Sequence, residues 1–189
     1  SLYFADSFTV DYYENRFTVG GGLAYRGDMD LSIEGQLDNI DRWRGKLFID
    51  QLGGRAYGQA TLHGRTADPD LDLTLVSDSF WVYELYADSL YASVSVKQFL
   101  TAKQGTVVAQ MHNGTAWTVP YQDGLTRLTI DSNLVTIDTI GFSNEHAFVS
   151  GGGLFDYGPY PMTLRVDTLS LGVLQNDFYN ASEIVVRVD

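Results

Sequence analysis

Asp70-Leu71-Asp72-Leu73-Thr74-Leu75 is followed along the chain by Leu90-Tyr91-Ala92-Ser93-Val94-Ser95-Val96-Lys97. Apolar and polar residues alternate one for one in both stretches, which is the period of a β-strand with one buried and one wet face. The pattern puts Leu71, Leu73, Leu75, Leu90, Ala92, Val94 and Val96 on one interior surface. Asp70, Asp72, Ser93, Ser95 and Lys97 fall on the other. Leu128 and Ile130, alternating with Thr129 and Asp131, extend the apolar surface, as do Leu164 and Val166 further on. The expected fold is all-β: repeated amphipathic strands with one shared apolar interior.

Working outward, turn signals separate the alternating runs: Gly53-Gly54, Asp68-Pro69, Asn113-Gly114, Asp123-Gly124, Gly151-Gly152-Gly153 and Gly158-Pro159. Helical spacing is nearly absent. Ile40, Trp43 and Leu47 behind the caps Asp38 and Asp41 allow a turn of helix, which Gly45 limits, and Leu171, Leu174 and Phe178 allow another.

Charge narrows the partners. The 189 residues carry 12 Lys and Arg against 24 Asp and Glu, a formal net charge of −12. Such a surface repels nucleic acid and offers no basic patch to an anionic membrane. Lipid contact would have to be apolar. No cysteine is present, so disulfides and thiolate chemistry are excluded and the fold is independent of redox state. The terminal run Ile184-Val185-Val186-Arg187-Val188 reads as a further strand, and the chain as a whole reads as one β-repeat domain over residues 1–189, a piece of a longer repeat protein.

Self-similarity supports a repeat. Phe17-Thr18-Val19-Gly20-Gly21-Gly22-Leu23 matches Phe148-Val149-Ser150-Gly151-Gly152-Gly153-Leu154, with weaker copies at Tyr57 to Leu62 and Gly105 to Ala109. A second element places a small or β-branched residue, Asp, Ser or Thr, and an apolar residue in succession. It occurs as Ala5-Asp6-Ser7-Phe8, Ala87-Asp88-Ser89-Leu90, Ile137-Asp138-Thr139-Ile140 and Val166-Asp167-Thr168-Leu169. Units of this kind cannot bury an apolar face alone and must share it, either in a curved sheet forming a groove or in a β-sandwich.

Residues with chemical potential are scattered. Asp68, Asp70 and Asp72 alternate as calcium ligands would, but Leu73 and Ser79 stand where an EF-hand needs Gly and Glu. The wet face of a strand explains them. His63, His112 and His146 lie far apart, no Gly-x-Ser-x-Gly elbow occurs, and no catalytic or metal residue is assigned. The reading is a non-enzymatic protein without a cofactor. Asn113-Gly114-Thr115 and Asn180-Ala181-Ser182 fit the glycosylation sequon, with a hairpin turn preferred for the first, and Arg26-Gly27-Asp28 reads as a turn. Trp43, Trp81, Trp117 and the tyrosines fit cross-strand packing, with a sugar-stacking platform as the rival use.

The stretch Asp68-Pro69-Asp70-Leu71-Asp72-Leu73-Thr74-Leu75 with Leu85-Tyr86-Ala87-Asp88-Ser89-Leu90-Tyr91-Ala92-Ser93-Val94 resembles the repeating pattern of the bacterial TamB and AsmA-like proteins. Asn133 to Phe142 leading into Gly151-Gly152-Gly153-Leu154 is similar to the same family's strand, loop and strand unit. The resemblance implies a periplasmic β-groove, or β-taco, whose parent protein is anchored in the inner membrane. It implies further that the groove shields phospholipid acyl chains between inner and outer membrane, and that the parent chain meets an outer-membrane barrel-assembly protein. Neighbouring repeats of the same chain would be the other partners. In this reading Leu71, Leu73, Leu75, Leu90, Ala92, Val94, Val96, Leu128, Ile130, Leu164 and Val166 line the lipid groove. The alternative is an extracellular β-sandwich that binds carbohydrate or protein through its aromatic surface.

Overall fold

The computed structural model describes residues 2–47, 49–158, 161–174 and 176–188. Its strands are β1 (Leu2–Tyr12), β2 (Asn15–Leu23), β3 (Asp28–Leu37), β4 (Leu52–Arg65), β5 (Asp68–Val82), β6 (Leu85–Lys97) and β7 (Gln104–Ala116). They continue as β8 (Val119–Asp131), β9 (Leu134–Ser143), β10 (Ala147–Asp156), β11 (Met162–Val173), β12 (Asn176–Tyr179) and β13 (Ile184–Val188). A 3₁₀ turn Ile40–Trp43 runs into one α-helical turn, Arg44–Leu47. This is the helical turn expected between Asp38 and Arg44. The second helical candidate, Leu171 to Phe178, is instead the end of β11 and the start of β12.

All strands belong to one antiparallel sheet whose spatial order follows the sequence from β1 to β12, and the sheet does not close. The curved-sheet alternative is therefore the one that forms, and two packed sheets do not. Strands β12 and β13 share the free side of β11, pairing with Ser170–Val173 and Met162–Val166 respectively. Asn180 fills the break between them: its Oδ1 accepts from the Leu169 N–H at 2.8 Å, and its Nδ2 donates to the Asp167 carbonyl at 3.2 Å.

Directly opposed residues in an antiparallel pair share a face, so the registers trace rows across the sheet. One row runs Phe8, Val19, Ile33, Ala60, Leu73, Val94, Val107, Leu128, Ile137, Gly153, Val166, Ile184. A parallel row contains Leu31, Leu62, Leu71, Val96, Gly105, Ile130, Val135, Phe155, Leu164 and Val186. None of these residues is charged. The opposite face carries Ser32, Thr61, Asp72, Ser95, Thr106, Thr129 and Thr136 in register.

Strict alternation fails at defined bulges, where an extra residue bends the strand. Asp78 on β5 falls between the pairs Arg55 with Ser79 and Ala56 with Ser77, so Ser77 and Phe80 both face inward. The same offset separates Ala87 from Leu90, Met111 from Gly114 and Tyr121 from Gly124, and these positions pair with one another across β5 to β8. The result is a crease through four strands. A second crease passes through Asp138, Gly152 and Asp167 on β9 to β11. The Asp-Ser/Thr repeat element is thus the bulge signature.

Several turn signals lie inside strands. Gly53-Gly54 is in β4, Asn113-Gly114 in β7, Asp123-Gly124 in β8 and Gly151-Gly152-Gly153 in β10. Glycine and asparagine there serve bends of the sheet rather than chain reversals. Pro159 of the Gly158-Pro159 signal lies outside the described residues. Gly105 to Ala109 sits on β7, which runs antiparallel to the even-numbered strands holding the other three copies, so it is not a copy of that unit.

Candidate functional site

The turns gather into two lips. One lip carries the connections β1–β2, β3–β4, β5–β6, β7–β8, β9–β10 and β11–β12, and the other carries the alternate connections. Between them lies the apolar face, and all eleven residues assigned to the interior by alternation lie on it: Leu71, Leu73, Leu75, Leu90, Ala92, Val94, Val96, Leu128, Ile130, Leu164 and Val166. Asp70, Asp72, Ser93, Ser95, Lys97 and Asp131 lie on the other side.

Burial of this face is uneven. Ala87, Leu90, Met111, Ala116 and Tyr121 form one buried cluster at the first crease, and Ile40 of the helical turn packs on Leu52 and Ala56 to form another. Away from these the face is open to solvent: Phe8 and Val10 on β1 are 41% and 45% exposed, and Leu171 on β11 is 42% exposed. Continuous exposed apolar surface of this kind is uncommon on monomeric folded chains.

An apolar recess of about 360 Å³ opens beside the first lip among Trp117, Val119, Tyr121, Phe142, Val149 and Leu171. Tyr121 forms its floor, with its ring centroid 5.0 Å from that of Phe142 and its hydroxyl donating to the Tyr86 carbonyl at 2.8 Å. Burial, and then the Asp88 carboxylate, push the Tyr121 phenol up to about 12. Gly114 makes room for it, because a Cβ there would stand 2.0 Å from the Tyr86 carbonyl oxygen and 2.6 Å from the Tyr121 hydroxyl. Most of the recess was not assigned from the alternating runs. Phe142, Val149 and Leu171 lie beyond bulges that shift the period, and the Asp-Ser/Thr element was the signal for that shift.

The acidic ladder has a structural use. Asp68 accepts from the Leu100 and Thr101 backbone N–H groups and from the Thr101 hydroxyl, and Asp70 accepts from the Gln98 N–H at 2.8 Å. Both carboxylates therefore hold the β6–β7 loop. Among the described residues no three His, Asp or Glu side chains gather where a metal could be held. His112 pairs with Asp123 at 2.8 Å on the exposed polar face, and His63 lies 3.9 Å from Asp72.

Nor do the tryptophans form one platform. Trp43 packs against Tyr12 and Phe17, Trp81 lies beneath Arg44 at 4.8 Å, and Trp117 is 72% exposed at a separate turn. Asn180 is committed to the backbone of β11, while Asn113 takes φ of 50° inside β7.

No family model, no curated protein and no solved structure matches this chain. The functional reading therefore rests on the apolar face itself.

Proposed function

We propose that this chain is a segment of a groove that shields phospholipid acyl chains, of the periplasmic kind that the resemblance to TamB and AsmA-like proteins implies. One observation carries the reading: an uncharged row passes from Phe8 on β1 through each strand to Val166 on β11 and on to Ile184 of β13, on a sheet that does not close. An acyl chain laid on such a wall gains about 0.8 kcal/mol per buried CH₂. A sugar or a charged peptide gains nothing there. Transfer needs no catalytic group or cofactor in this scheme, since the tail exchanges one apolar surface for another. The inner-membrane anchor and the outer-membrane barrel-assembly partner would belong to the parent protein, and neighbouring repeats would lengthen the groove.

Titration with a fluorescent long-chain fatty acid tests the proposal. Saturable binding is expected, displaced by long-tailed phospholipid and unaffected by soluble sugars. Replacing Val94 by Asp puts an unpaired carboxylate on the wall and should weaken binding about tenfold, an effect of roughly 1.4 kcal/mol that is modest for a buried charge. Ser95→Asp, on the other face, should leave it unchanged. Absence of saturable binding by the folded wild-type chain would remove the reading.

A further inference from the structure

Four connections on the first lip present a large apolar side chain at a left-handed backbone position. Tyr13 (φ 54°), Tyr83 (φ 48°), Trp117 (φ 48°) and Leu174 (φ 47°) each open the turn after an odd-numbered strand, where glycine or asparagine would be unstrained. All four point to solvent, with exposures of 71%, 54%, 72% and 69%. On the other lip the left-handed positions are held by Arg26, Gln98, Lys103 and Ser132, all hydrophilic. Three of the four are anchored through their backbone, because the N–H groups of Tyr83, Trp117 and Leu174 donate to the carbonyls of Gln51, Glu84 and His146 in the preceding turns, at 3.0, 3.0 and 3.1 Å.

We propose that this lip is a docking edge for a lipid bilayer with zwitterionic headgroups. Single aromatic and leucine tips interleaved with Glu14, Glu84 and Thr118 make a poor flat protein interface, because each contact would desolvate a neighbouring polar residue. Headgroups tolerate that mixture. Tyr and Trp place their apolar bodies at the acyl boundary and their polar edges among headgroups. The lip carries both signs of charge, Glu14 and Glu84 beside the tips and Arg42 5.6 Å over the Tyr13 ring, which suits a headgroup bearing both phosphate and ammonium, and the net charge of −12 disfavours an anionic surface. Trp117 also walls the apolar recess over Tyr121 and Phe142. An acyl chain leaving a bilayer beside Trp117 therefore meets apolar surface directly. The inference rests on the acyl-shielding reading for its purpose, not for its geometry.

Flotation with phosphatidylcholine vesicles tests it, using the whole chain. Wild type should float with the vesicles, and less so as phosphatidylglycerol replaces phosphatidylcholine. The double variant Tyr83→Asn/Leu174→Asn keeps residues suited to the left-handed turns and leaves the lining of the recess intact, so it should fold, and should lose at least fivefold in bound fraction. Tyr25→Asn, on the opposite lip where Tyr25 is 84% exposed, should float like wild type. Fatty-acid binding without vesicles, retained by the double variant, separates loss of docking from loss of the groove. Equal flotation of the double variant and wild type, equal loss with Tyr25→Asn, or a soluble dimer dispersed by Trp117→Asn with no flotation would each overturn the membrane-facing lip.

Discussion

Ala87 and Leu90, three residues apart on β6, are buried side by side in the same cluster. In an unbroken strand they would face opposite ways. The bulge at Asp88-Ser89 turns both inward and bends the sheet at its most tightly packed point. Ala87 is 0% exposed, so nothing there can accept extra volume. Ala87→Leu is expected to destabilise the chain by about 1–3 kcal/mol, read as a lower urea midpoint at unchanged slope.

Two glycines should respond oppositely to alanine. At Gly114 a methyl would collide with the Tyr86 carbonyl and the Tyr121 hydroxyl, whereas at Gly45 in the helical turn it would meet nothing within 4 Å. Gly114→Ala is expected to cost about 2 kcal/mol or more through forced displacement of Tyr121. Gly45→Ala should gain about 0.5–1 kcal/mol from the stiffer unfolded chain. Chemical denaturation of the two variants beside wild type measures both.

The Tyr121 phenol links stability to alkaline pH. Its value of about 12 lies above the ordinary tyrosine value of 10.0, so folding favours the neutral form. That contribution is complete below pH 10 and is lost as pH rises through 12. With solvent screening of the phenolate taken into account, the loss is on the order of 1–2 kcal/mol. Tyr121→Phe should cost about 1 kcal/mol at neutral pH by leaving the Tyr86 carbonyl without its donor. The variant should also show a flatter stability profile between pH 10 and 12, in parallel urea titrations.

The sequence made the strands and their inward faces legible wherever alternation ran unbroken, as at Leu71 to Leu75 and Leu90 to Val96. Those runs pair as a wall because a one-residue slip would have turned every leucine outward. It was less informative about where the chain reverses. Asn113-Gly114 and Gly151-Gly152-Gly153 have turn chemistry but lie inside β7 and β10, where a glycine relieves a close approach between neighbouring strands. The true reversals at Tyr13, Tyr83 and Trp117 use residues that no turn preference selects. The recess around Tyr121 stayed hidden for a related reason. Its walls come from strands on both sides of the creases, and period-two reading loses phase at each bulged residue.

Site-specific photo-crosslinking to phospholipid separates the two faces of the sheet within a few ångströms of each other. Leu128 pairs with Ile137 on the apolar wall, and their neighbours Thr129 and Thr136 pair on the opposite face. A photoreactive residue placed at each of the four positions in turn, in vesicle-grown or detergent-purified protein, reports which face a lipid touches. Crosslinked phospholipid is expected from Leu128 and Ile137 and not from Thr129 or Thr136. Equal yields from all four, or a yield only from the threonines, would contradict the groove.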